Sequence, residues 1–96
     1  MPFPTLLFSG HAVRRMLARG VDEAAVRSVL DTGDAIENYP DDTPYPSALY
    51  LGFLLPEKPL HVVAADDVAA QHTIVITVYE PDPGLWDATF RQRRTP

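Results

Sequence analysis

The stretch FSGHAVRRMLARG, residues 8–20, gathers one histidine and three of the seven arginines of a 96-residue chain. On a helix, with His11 as the reference, Arg15 falls at about 40°, Arg19 at about 80° and Arg14 at about 300°, a continuous basic arc. Two residues past the capping position, His11 meets the positive end of the helix, which favours a neutral ring able to accept a proton. One turn on, Arg15 carries the planar fork that holds a phosphate through two parallel hydrogen bonds. A neutral base beside a fixed cation suits phosphodiester cleavage: one takes the 2′-hydroxyl proton and the other stabilises charge in the transition state. The bland alternative is a solvated helix face with a polar histidine near its cap, and spacing alone leaves both open.

Two further histidines carry weaker signals. His61 lies in the apolar run LHVVAA, where it either satisfies itself on a backbone carbonyl or faces the helix and completes an acid–base pair. Alternation does not decide, because the run is apolar on both sides. His72 borders a turn and reads as solvated. Tyr79 shares one side of the last strand with Thr77 and Val75, where its hydroxyl would suit a phosphate; a tyrosine at a sheet edge is the commoner use. Three scattered histidines make no metal site, and the pairs Asp41–Asp42 and Asp66–Asp67 are ordinary turn formers.

These residues need a frame. Hydrophobic content of 46% with 22% charged residues describes one globular domain over residues 1–96, able to bury roughly two thirds of its unfolded surface. Cysteine is absent, so disulfides and thiolate sites are excluded and a reducing, cytoplasmic setting is the simplest expectation. MPFPTLLF has no basic start and too short an apolar run for a signal sequence or membrane span, so no membrane association is expected. A formal net charge of −5 argues against non-specific coating of nucleic acid. Yet Arg14, Arg15, Arg19 and Arg27 lie in the first third and Arg91, Arg93 and Arg94 at the end, so a local basic site can exist on an acidic body.

Ser9 can cap a first helix with Ala12, Val13, Met16 and Leu17 toward the core within about 140° of arc, and Gly20 can end it. Asp22 can cap a second helix that buries Ala25, Val26, Val29 and Leu30 and stops at Gly33, with Glu23, Arg27 and Asp31 as a charge ladder outside. A weak strand over Ala35–Tyr39 and the loop PDDTPYP follow. SALYLGFLL then alternates, with Leu49, Leu51, Phe53 and Leu55 on one side and Ala48, Tyr50, Gly52 and Leu54 on the other. PEKP reads as a turn. LHVVAA and HTIVITVY are β-branched strands separated by a turn around Asp66 and Asp67. EPDPGLWDATF cannot continue a strand through its prolines; Trp86 and Phe90, four apart, suggest a closing helical turn, with Trp86 buried. The expected fold is α+β, two N-terminal helices on a small three- to four-stranded antiparallel sheet.

The motifs in order, S-x-H-A-x-x-R-M-x-x-R-G-V at Ser9 to Val21, D-x-P-Y-P-S at Asp42 to Ser47, P-L-H-V-V at Pro59 to Val63, I-T-V-Y-x-P-D-P at Ile76 to Pro83, and Trp86, resemble the bacterial domain-of-unknown-function family 4258. The resemblance covers nearly the whole chain and rests on several motifs together. Members of that family are often encoded beside a zinc-finger antitoxin-like protein and are grouped with RelE-like and MqsR-like toxins. The resemblance therefore implies a RelE-like fold of two helices against a small antiparallel sheet, metal-independent RNA cleavage without a cofactor, and an antitoxin partner. Its pattern marks Ser9, His11, Arg15, Arg19, Ser47, His61 and Tyr79, but not Arg14. On this reading His11, Arg15, His61 and Tyr79 are the catalytic candidates, with Arg19 and Ser47 as substrate contacts. RelE-type toxins are usually basic, whereas this chain has a pI near 4.9, which weakens long-RNA binding through counterion release and speaks against ribosome-dependent action. Three readings stay open: an endoribonuclease toxin acting on free RNA, a non-catalytic phosphate- or protein-binding module on the same scaffold, and a structural partner of another protein. Free sheet edges would also admit a homodimer.

Overall fold

A computed structural model describes residues 3–54 and 57–95. The order is β1 (Thr5–Phe8), α1 (Gly10–Arg19), α2 (Glu23–Thr32), β2 (Asp34–Tyr39), β3 (Ser47–Leu54), β4 (Lys58–Asp67) and β5 (His72–Tyr79). The helix boundaries follow their caps. The Ser9 hydroxyl accepts from the Ala12 amide and the Asp22 carboxylate from the Ala25 amide, while Gly20 closes α1 in the left-handed region at φ 65°. Each device satisfies an end group that the helix itself leaves unpaired.

The five strands form one sheet in the order β1-β5-β4-β3-β2. Three pairs are antiparallel, but β1 runs parallel to β5. This corrects the expected three- to four-stranded antiparallel sheet: the sheet is mixed and has one strand more, although the fold remains α+β. The extra strand is TLLF, four residues whose partner lies some 67 positions away. A parallel pair has no connecting hairpin, so no turn residue announces it. A smaller correction concerns Asp66 and Asp67, which belong to β4, while the turn falls at residues 68–71 with Gln71 at φ 57°.

Both helices cover one side of the sheet, α1 over β5 and α2 over β3 and β4. Ala12, Val26, Val29 and Leu30 meet Leu60, Val62, Ala64, Val75 and Val78 in the core, with Tyr50 and Leu54 against it. On β3 the helices choose the small side of the strand, where Gly52 abuts Val29. Leu49 and Leu51 are buried on the other face; Leu55 and Pro56, expected in strand and turn, lie outside the described residues. On α1 only half the expected apolar arc is covered: Ala12 is buried and Met16 half-buried, but Val13 is 42% and Leu17 79% exposed. The Glu23–Arg27–Asp31 ladder forms no ion pair; the pairs among the described residues are Lys58–Glu80 and Arg91–Asp34.

Gly33 sets the approach of α2 to the sheet. A Cβ there would lie 2.4 Å from the Leu51 carbonyl oxygen and 2.5 Å from that of Val29. Both are backbone atoms in regular structure and cannot swing aside. Gly33→Ala is therefore expected to cost about 2 kcal/mol, read as a lowered urea midpoint with an unchanged slope.

After β5 the chain crosses the side of the sheet that carries no helix. The expected helical turn at Trp86–Phe90 is absent: Trp86 bridges to Arg93, and Phe90 adopts φ 61°. Asp87 Oδ1 accepts from both the amide and the hydroxyl of Thr89, a local turn that outcompetes the helix. Trp86 itself is 2% exposed, buried as its sequence context demanded.

Candidate functional site

α1 presents its basic arc outward. The Ser9 hydroxyl, besides capping, donates to the Ile76 carbonyl at 2.8 Å and ties the start of α1 to β5, so its hydrogen bonds serve architecture. His11, Arg14, Arg15 and Arg19 are all exposed, and none lines the recess over Ala48 and Ala64 or the apolar cleft beside Leu17. The surface is charged, open and convex.

His61 is placed on the other face. Its strand neighbours Leu60 and Val62 enter the core beside Ala12, so alternation sends His61 away from the helices. His61 and Tyr79 are register partners on β4 and β5, whereas the sheet stands between them and His11 and Arg15. The four expected catalytic residues thus form two separate groups. His61 is fully buried, with Nε2 2.9 Å from the Phe90 carbonyl oxygen and Nδ1 3.1 Å from the Tyr79 hydroxyl. A carbonyl only accepts, so Nε2 carries the proton and Nδ1 accepts from Tyr79. The edge-to-face rings of Trp86 at 4.5 Å and Tyr79 at 5.1 Å complete the enclosure.

Tyr79 is half-buried and does not stand alone. On the edge strand, Tyr39 donates to Glu37 Oε2 at 2.5 Å. From the C-terminal segment, Arg93 lies over the Trp86 ring at 5.0 Å and Arg91 pairs with Asp34. The charges of Glu37 and Arg93 are felt at Tyr39, His61 and Tyr79 alike. Burial, then the Glu37 bond, pushes Tyr39 up to about 12. Burial also raises Tyr79, with Arg93 opposing and Glu37 reinforcing. Ser47 is near Tyr39 in register, but its hydroxyl donates to Asp42 Oδ2 at 2.7 Å and fastens the proline-rich loop. Glu37 and Tyr39 escaped sequence reasoning as site residues, and Arg93 entered it only as one of three arginines at the end of the chain. A bulge between Ala35 and Glu37 breaks the alternation that would have placed Glu37, and the position of Arg93 near the end of the chain names no face for it to join.

Burial lowers the pKa of His61, against the Phe90 hydrogen bond and the Glu37 charge, which favour protonation, while Arg93 adds to the lowering. The folded chain thus binds this proton less readily than the unfolded chain. Its contribution to stability is complete above the ordinary histidine value of about 6.5 and is lost as pH falls below that toward the depressed folded value. Urea melts at a series of pH values from neutral downward should show this decline, and His61→Gln should remove that component of it.

Among the described residues, no group of three or more His, Asp or Glu side chains gathers as a metal site, and no helix is long and apolar enough to cross a membrane. Comparison with curated proteins and with solved structures gave no match. A family model does match, over residues 8–80, from the end of β1 to just past Tyr79. That span holds α1 with its basic arc, Ser47, His61 and Tyr79, and stops short of the segment carrying Trp86 and Arg93. The chain belongs to the family described as Domain of unknown function (DUF4258).

Proposed function

We propose that the chain is a toxin-like, metal-independent endoribonuclease whose chemistry is done on the helix-free face by Tyr79 and His61. The observation that carries this is the hydrogen-bonded series Tyr79 hydroxyl, His61 Nδ1, His61 Nε2–H, Phe90 carbonyl. A half-exposed hydroxyl is held on a neutral imidazole, and the imidazole is oriented from behind by a third group, the arrangement that activates an oxygen. RNA as substrate rests on the likeness to toxin domains.

In this reading the 2′-hydroxyl gives its proton to the Tyr79 oxygen as Tyr79 passes its own to His61 Nδ1. The 2′-oxygen bonds to phosphorus, the bond from phosphorus to the 5′-oxygen breaks, and that oxygen takes a proton from water, whose hydroxide recovers the proton from His61 through Tyr79. The Glu37 charge favours the imidazolium formed on His61, and Arg93 faces the phosphate charge. His61 touches no substrate; it acts through Tyr79. The purified chain should cleave single-stranded RNA in EDTA, leaving 2′,3′-cyclic phosphate ends. Intact RNA after incubation with folded chain free of any co-purified protein would refute the reading.

A second reading has its own observation. The exposure and continuity of His11, Arg15 and Arg19 favour a non-catalytic phosphate-binding face on α1. Loss of phosphate or RNA binding in Arg15→Ala, with no cleavage by the parent chain, would select it. An antitoxin-like protein and a second copy of the chain are the partners proposed under the first reading.

A further inference from the structure

A recess of about 320 Å³ lies on the helix-bearing side of the sheet, away from Tyr79 and independent of the chemistry proposed there. Its lining comes from the sheet and its loops alone. Ala48 and Ala64, register partners on β3 and β4, are too small to fill it. Tyr50, Asn38, Asp66 and Val68 rise around them. The volume falls within the range of sites that take a small group.

The unused hydrogen-bonding capacity here is mostly acceptor. Asp66 Oδ1 takes the Thr73 hydroxyl at 2.8 Å, while Oδ2 receives no protein donor among the described residues. The Tyr50 hydroxyl and the Asn38 side chain likewise have no protein partner among them. Burial and the Asp66 charge hold the Tyr50 hydroxyl protonated beyond its usual range. Among the described residues no lysine or arginine lines the recess, and Asp42, bonded to Ser47 at the rim, adds to the negative field. A phosphate-bearing ligand would be repelled. A planar cation with several N–H donors would pair with Asp66 Oδ2 and the Asn38 carbonyl, lay its face near Tyr50, and leave its aliphatic stem against Val68.

We propose that this recess takes the guanidinium of an arginine side chain presented by a basic segment of a partner protein. Amide chemical shifts of the full-length chain, followed on titration with N-acetyl-arginine amide, test it. Saturable shifts at Asn38, Tyr50, Ala64 and Asp66 are expected. Asp66→Asn, which keeps an oxygen for Thr73, should weaken binding at least tenfold, and N-acetyl-lysine amide should bind several-fold less well. Tyr50→Leu removes the ring face on which the guanidinium lies and should weaken binding several-fold, which keeps the test decisive if Asp66→Asn proves poorly folded. The proposal is overturned by the absence of saturable shifts at these positions, by equal affinity in folded Asp66→Asn, or by a preference of the recess for spermidine or guanosine monophosphate over the arginine probe.

Discussion

Trp86→Ala is expected to destabilise the chain by about 3 kcal/mol or more. Trp86 is among the largest fully buried side chains and the one from the C-terminal segment. It stands edge-on to His61, supports Arg93, and joins the backbone bridge to residue 93. Deleting the indole removes apolar burial and also leaves a void beside the buried His61 imidazole. A surface loop residue would change stability by less than about 0.5 kcal/mol, so the magnitude separates a pinned segment from a trailing one. Urea melts followed by circular dichroism read it; curves that overlay the parent would show that the segment does not brace the face. A second consequence distinguishes lost area from lost enclosure. If water reaches His61 in the variant, burial no longer depresses its pKa, and the acid-side decline in stability should flatten as well.

Much of this frame was legible in the sequence. Ser9, Gly20, Asp22 and Gly33 announce two helices because caps are local: the residue that stops a helix stands next to it. HTIVITVY announces a strand because β-branched residues crowd a helix and fit a pleat. What stayed hidden depends on distant partners. TLLF becomes β1 only through β5, and the bulge in β2 that brings Glu37 onto the Tyr79 face has no residue signature. The same limit explains the site. Alternation within LHVVAA could not orient His61, since Leu60, Val62 and Ala64 on one side and Val63 and Ala65 on the other are equally apolar. Orientation is set by the small side of β3, where Gly52 admits Val29 of α2 and the even-numbered positions of β4 pair beside it, which directs the odd-numbered ones to the opposite face. His11 and Arg15 were found by helical spacing, which assigns a common face but says nothing of what shares it.

Tyr79→Phe should lower RNA cleavage by roughly 10²-fold or more while leaving the fold in place. Phenylalanine keeps the ring against His61 and removes only the hydroxyl that donates to His61 Nδ1. The cost to folding is one buried acceptor left without its donor, about 1–2 kcal/mol. Taken from a typical domain stability of about 5 kcal/mol or more, that leaves the unfolded fraction near 1% or lower. Unfolding therefore cannot account for a hundredfold loss, and melting and cleavage measured on the same sample separate structure from chemistry. His61→Gln serves as the companion because its role is positioning and proton acceptance. It should flatten the acid limb of the pH–rate profile, since the parent loses its acceptor as His61 gains a proton. Arg93→Lys, which keeps the charge but not the fork, should retain more cleavage than Arg93→Ala. Full cleavage in Tyr79→Phe would remove the helix-free face from the chemistry. If His11→Ala or Arg15→Ala then abolished cleavage, the reaction would belong to the exposed arc of α1, and the Tyr79–His61–Phe90 bonds would be left with holding Trp86 and its segment in place.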